Sequence, residues 1–316
     1  MTPPPTPTAT PDPAAVSAGA AGAAAAGGPV PGGPLREASL WADAWRQLRR
    51  NPLFVGPAVV IAVLTVMAAF PGLFTRTDPR ACDLSHSLLR PRAGHWFGYD
   101  LQGCDYYARV IHGARVSMTI GITTAAGTAL VAVVLGTLAG FYGGIVDTLI
   151  ARATDVWFAL PTVLGAIVVL SVLGGNGLPQ LTLVLVLFGW PTMTRLMRSA
   201  VLTVRDLEYV TAARALGAGD LRLMARHVLP NALAPVIVYG AIRVGLVIAA
   251  EATLSFLGLG LQLPAISWGL MIAGAQPRLL SAPHLLLFPG LFLSLTVLAF
   301  VLLGDALRDA FDPRLR

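Results

Sequence analysis

Few side chains in this sequence could carry covalent or metal chemistry. The two cysteines, Cys82 and Cys104, do not form a CxxC pair, and the five histidines are scattered, so no metal-ligand spacing is present. All 22 basic residues are arginine. A phosphate-cradling P-loop needs a lysine, and neither a glycine-rich nucleotide fingerprint nor a nucleophile elbow is visible. The expectation is a chain with no catalytic residue, no metal and no cofactor of its own, in which any ATP-Mg is bound by another subunit. What remains is charge in apolar surroundings. Arg152 and Asp155 stand near the end of one apolar run, and Arg243 and Glu251 stand inside another. Ionisable groups at membrane depth are functional candidates by default. Eight residues of helix separate Arg243 from Glu251 by about 12 Å and about 80°, so they are not expected to pair directly. Each is a candidate for the wall of a translocation pathway or for a structural tie to a neighbouring helix.

The elements that must position these residues are membrane spans. Only 12% of the 316 residues are charged and 55% are hydrophobic, about half the charge of a soluble domain, and the apolar residues come in runs long enough to cross ~30 Å of hydrocarbon. Six runs qualify: Leu53–Phe74, one within Val116–Val146, Thr148–Leu173 with Pro161 inside it, Leu181–Val201, Ala232–Leu257 and Leu285–Leu303. The predicted fold is an all-α integral membrane protein with six transmembrane helices over 53–316. Residues 1–34 hold nine prolines among Thr, Ala and Gly, too little apolar area to order a chain, so 1–38 reads as a disordered tail. Residues 39–52, with Leu40, Trp41, Trp45 and Leu48 between arginines, read as a helix lying on the membrane surface.

Arginine placement sets the orientation. Arg195, Arg198, Arg205, Arg214, Arg222 and Arg226 cluster between and beside spans four and five, whereas the link between spans three and four has none. The positive-inside rule then puts both termini in the cytoplasm and the polar loop 75–114 outside. That external loop holds both cysteines. They are expected to form a disulfide, since oxidation persists on that side and the loop shows no core of its own.

The most informative stretch is 205–230. It reads as two short helices at the cytoplasmic surface, with Asp206 capping the first and Gly217 and Gly219 turning the chain. Val210, Ala213 and Leu216 would share one face, Leu221, Met224 and Val228 would form a second apolar stripe, and Pro230 would end the segment. Thr211-Ala212-Ala213, three residues, Gly217, nine residues, His227-Val228-Leu229-Pro230 resembles the Glu-Ala-Ala signature of ABC importer permeases. The spacing matches throughout; Thr211 replaces the glutamate and His227 the isoleucine. Arg49-Arg50-Asn51-Pro52, Gly98-Tyr99-Asp100-Leu101-Gln102-Gly103, Leu254-Ser255-Phe256-Leu257-Gly258-Leu259-Gly260, Phe288-Pro289-Gly290 and the segment Gly304–Pro313 further resemble the dipeptide/oligopeptide/nickel permease family, in its C-type subunit.

The resemblance covers about residues 39–313. It implies a type I ABC importer permease in a bacterial plasma membrane, forming half of a pathway for di- or oligopeptides. It further implies a B-type permease partner, two ATPase subunits and an extracytoplasmic binding protein, with no role for nucleic acid. Thr211, Ala212, Ala213, Gly217, Leu229 and Pro230 would then belong to the coupling helix seated in an ATPase cleft. Two alternatives stay open: import of nickel or another small solute, and an ion-coupled secondary transporter. The latter often shows two related halves, which this sequence does not.

Overall fold

The computed structural model describes residues 48–174 and 177–311. The tail expected at 1–38, residues 39–47 of the expected surface helix, and Asp312-Pro313 of the last family-like segment lie outside the described residues. Among those described there are helices and isolated β-bridges but no strand.

The first helix, α1 (Pro52–Ala69), starts where Asn51 accepts a hydrogen bond from Leu53 N, with Pro52 at the first helical position. Proline fits there because that N–H has no intrahelical acceptor. Next comes α2 (Tyr106–Tyr142), 37 residues long and capped by Asp105, which accepts from Ala108 N. It begins ten residues before the expected span, so the polar loop ends at Asp105 and not near residue 114. Arg109, His112 and Arg115 make this first stretch look like loop, yet each has a partner: Arg109 pairs with Asp100, His112 bonds the Ala108 carbonyl of its own helix, and Arg115 donates to the carbonyls of Ala68 and Ala69 at 2.9 and 2.8 Å and so closes the end of α1.

The expected third span is two helices, α3 (Gly144–Ala159) and α4 (Thr162–Leu173), bent by 90°. Pro161 explains the break. It has no N–H to donate and holds the preceding residue out of the helical region, and Leu160 is extended at φ −83°, ψ 125°. Helix α5 (Leu178–Arg205) follows, then α6 (Glu208–Ala215), α7 (Asp220–Arg222), a π-helical turn Leu223–Val228 and α8 (Leu229–Ala232). Pro230 therefore lies inside the second short helix, and the break before α9 (Ala234–Phe256) falls at Leu233. A helix not expected from sequence, α10 (Trp268–Ala275), is capped by Ser267. The last, α11, spans His284–Phe311.

Four of these helices, α1, α2, α9 and α11, are long and apolar enough to cross a membrane, and the bent pair α3–α4 would make five. Helix α5 has the length but carries Arg195, Arg198 and Arg205. Contacts between small residues and their neighbours fix the directions. Gly127 faces Val186, Gly136 faces Met197 and Gly140 faces Val201, so α2 and α5 run parallel. A β-carbon at Gly136 would stand 2.6 Å from Met197 Cβ, which is why these backbones can approach so closely. Gly189 against Arg243 with Met193 against Gly240 makes α9 antiparallel to α5, and Gly245 against Val297 with Gly304 against Ile242 makes α11 antiparallel to α9. The loop before α2 and the turn α10 thus lie at one end, and the 205–233 segment at the other, where Leu48 also packs against Ala310.

Candidate functional site

The segment after α5 is anchored by one face. Val210, Leu223 and Val228 are completely buried and Met224 nearly so, against Phe141, Met193, Met197, Val201 and Val204 at the ends of α2 and α5. Ala213 and Leu229 pack partly against the same cluster. Polar clamps hold the junction. Arg205 Nη1 donates to the carbonyl of Gly140 at 2.6 Å, at the negative end of the α2 dipole, and the Arg214 guanidinium sits 5.7 Å from the Phe141 ring centre. Tyr209 donates to the His227 carbonyl at 3.2 Å and ties α6 to the π-helical turn; partial desolvation raises the phenol's pKa, so it stays a donor.

The outward face is different. Thr211, Ala212 and Pro230 are exposed, and Leu216 and Leu221 are 89% and 77% exposed. Leu216 was expected to share a face with Val210 and Ala213, and Leu221 a stripe with Met224 and Val228; the structure separates each leucine from its buried companions. Gly217 turns the chain at φ +85°, a conformation costly for a residue with a β-carbon. Asp206 does not cap α6, as was expected. It ends α5 and faces Arg205 at 3.4 Å, while Leu207 occupies the cap position with no side-chain bond. The result is a short, rigid two-helix platform, glued to the span ends and presenting small residues and two bare leucines outward.

The charges in and beside the apolar helices fall into separate settings. Asp147 receives both Arg198 Nε and Arg198 Nη2, the latter at 2.6 Å, and Asp155 receives Arg195 Nη2 at 2.5 Å with Arg152 at 3.7 Å. These pairs tie α3 to α5. Glu251 is fully buried; its Oε1 accepts from Ser255 Oγ at 2.8 Å and Ser267 Oγ at 2.9 Å, and its Oε2 has no partner among the described residues. Ser267 in turn accepts from Leu270 N at 3.1 Å, so the carboxylate sits beneath the start of α10. Arg243 is half-buried, lies against Gly189, and forms no ion pair with Glu251 among the described residues.

At the opposite end, Cys82 and Cys104 have Cα atoms 4.0 Å and sulfurs 2.00 Å apart, a bonded distance. Their loop packs on the helices: Phe97 stacks on Phe288 of α11 at 3.8 Å, and Tyr99 and Cys104 are buried. Asp100 organises the turn by accepting from Gln102 N and Cys104 N, both at 2.9 Å, and from Arg109. The sequence reading missed α10 and the Ser267–Glu251–Ser255 cluster. Ser267 before the apolar run Trp268–Ala275 is a helix-start signal, and Ser255 stands four residues after Glu251, so part of this was readable.

Apolar helices that run back and forth, with buried polar ties and a platform at one end, define a multi-pass helical membrane protein. Comparison with known proteins makes the class specific. Residues 132–316 match the family model described as binding-protein-dependent transport system inner membrane component, and residues 39–91 match the N-terminal TM domain of oligopeptide transport permease C. The chain is 37% identical over 288 residues to the dipeptide transport system permease protein DppC of Alkalihalophilus pseudofirmus, covering 91% of this chain and 94% of that one. It is 37% identical over 281 residues to the oligopeptide transport system permease protein OppC of Bacillus subtilis, covering 89% and 92%. A solved structure of the MetNI methionine ABC transporter in inward-facing conformations superposes with a TM-score of 0.53 at 16% identity, over 64% of this chain and 96% of that one, which shows a shared fold. The chain belongs to the family of binding-protein-dependent transport system inner membrane components.

Proposed function

We propose that this chain is the permease subunit of an ATP-driven peptide importer, spanning the membrane six times and forming half of the pathway. The observation that carries the reading is the 205–230 platform. Its buried face is continuous with the ends of α2 and α5, so a push on its exposed face moves those helices as one body. Bare Leu216 and Leu221 beside Thr211, Ala212 and Gly217 suit a cleft on a partner ATPase. The partners are then two such ATPases, which bind the ATP-Mg, a second permease of the B type and an external binding protein. The chain itself is not an enzyme. Peptide as cargo is supported by the names of the dipeptide and oligopeptide relatives. Helix α5 is the additional pass beyond the four long apolar helices and the bent pair, and both termini are cytoplasmic. Of the two central charges, half-buried Arg243 is the pathway residue, and enclosed Glu251 holds α10.

Cysteine accessibility tests the orientation. Leu280→Cys, 98% exposed at the disulfide end, is expected to react with a membrane-impermeant maleimide in intact cells, and Leu221→Cys only after permeabilisation. The reverse pattern would invert the topology and remove the ATPase contact.

The bridge between Cys82 and Cys104 belongs to the same reading. In the chain-entropy account, closing that loop removes roughly 3 kcal/mol of unfolded freedom. Without reduction the wild-type chain should take up no maleimide. The double variant Cys82→Ser, Cys104→Ser should exchange amide hydrogens faster across 82–104 while the spans stay protected. Ready labelling of both native thiols without reductant would defeat the bridge.

A further inference from the structure

The geometry points to a subsite for the C-terminal carboxylate of the peptide in the cavity beside the disulfide loop, an inference that rests on the peptide-import reading above. The cavity holds about 270 Å³ between the start of α2, helix α10 and the start of α11. At ~30 Å³ per water that is space for about nine waters, which suits the end of a short peptide and not a folded segment.

Its charges are unbalanced. Asp100 lines the cavity but already accepts from Gln102 N, Cys104 N and Arg109, so three of its roughly four acceptor sites are used and its charge is paired. Arg109 also lines the cavity, and its buried Nε has no hydrogen-bond partner among the described residues. Arg278, just after α10, also lines the cavity and forms no ion pair among the described residues. Two guanidinium groups thus face one carboxylate, an excess of one positive charge. Leu270, Met271 and Leu285 supply an apolar wall. A group with a carboxylate at one edge and an apolar side chain beside it satisfies both features. Guanidinium binds a carboxylate through paired, charge-assisted hydrogen bonds, so a peptide ending in an apolar residue is the matching ligand.

The test uses the whole transporter in lipid nanodiscs without its binding protein, with Ala-Leu and Ala-Leu-amide as probes. The wild type should bind the free acid about tenfold or more tightly than the amide, the scale of one charged hydrogen bond. Arg278→Gln should abolish that preference. Met271→Trp, which fills the cavity, should weaken both probes. Equal binding of acid and amide by the wild type, or an undiminished preference in Arg278→Gln, would overturn the subsite. Uptake with the binding protein added separates this from the larger reading. If wild-type complex imports Ala-Leu and only the preference is missing, the subsite alone fails. If it imports no peptide, the functional reading fails.

Discussion

Gly217→Arg is expected to leave the chain inserted in the membrane and to abolish peptide uptake. Gly217 has φ +85°, where a side chain strains the backbone by about 1–2 kcal/mol. Among the described residues no neighbouring atom lies within 4 Å of a β-carbon built there, so the fold leaves room at this point. The damage falls on the turn that sets Leu216 outward and on the surface offered to the ATPase. Losing one interface anchor is worth ~3 kcal/mol, about a hundredfold at ~1.4 kcal/mol per decade. Gly217→Ala adds only the strain and should reduce uptake by about tenfold. Protein level, co-purifying ATPases and initial uptake rate are the measurements. Uptake within twofold of wild type in the arginine variant would remove 205–230 from the coupling path.

Glu251→Leu is expected to release α10. Two buried hydroxyls, Ser255 and Ser267, donate to the Glu251 carboxylate, and Gly269 lies so close that its β-carbon would stand 2.9 Å from both carboxylate oxygens. Leucine fills most of the space but accepts nothing. Each stranded hydroxyl costs about 1–3 kcal/mol, for a loss of about 2–6 kcal/mol. Glu251→Gln keeps an oxygen acceptor and should cost much less. Hydrogen exchange over 267–275 should rise at least ~30-fold in the leucine variant and little in the glutamine variant. Unchanged exchange in Glu251→Leu would show that the carboxylate does not hold α10. Equal damage in both would place the effect in the charge and not in the accepted hydrogen bonds.

Much of this arrangement was legible in the sequence, for identifiable reasons. Long apolar runs with few or no charges located the long helices, because hydrocarbon admits little else. The start of α2 was hidden by Arg109, His112 and Arg115, whose polar partners come from Asp100 and the carbonyls of Ala68, Ala69 and Ala108. Asp105, a good cap residue, was the signal that could have revealed it. Pro161 was visible but its 90° bend was not, because a proline only breaks the hydrogen-bond ladder and the packing decides the angle. The spacing of 205–230 was readable, whereas the facing of Leu216 and Leu221 was not. A period of 3.6 residues finds an apolar face but does not say whether this chain or a partner covers it.

The most direct test of the account is the energy source. Proteoliposomes holding this chain with its partner permease, ATPases and binding protein are loaded with ATP and an ATP-regenerating system on the ATPase side. Labelled dipeptide uptake is then followed with and without proton and sodium ionophores. The account predicts accumulation that requires ATP, persists when both ion gradients are collapsed, and disappears when the ATPase subunits are omitted. Accumulation driven by a proton or sodium gradient without ATP would contradict it.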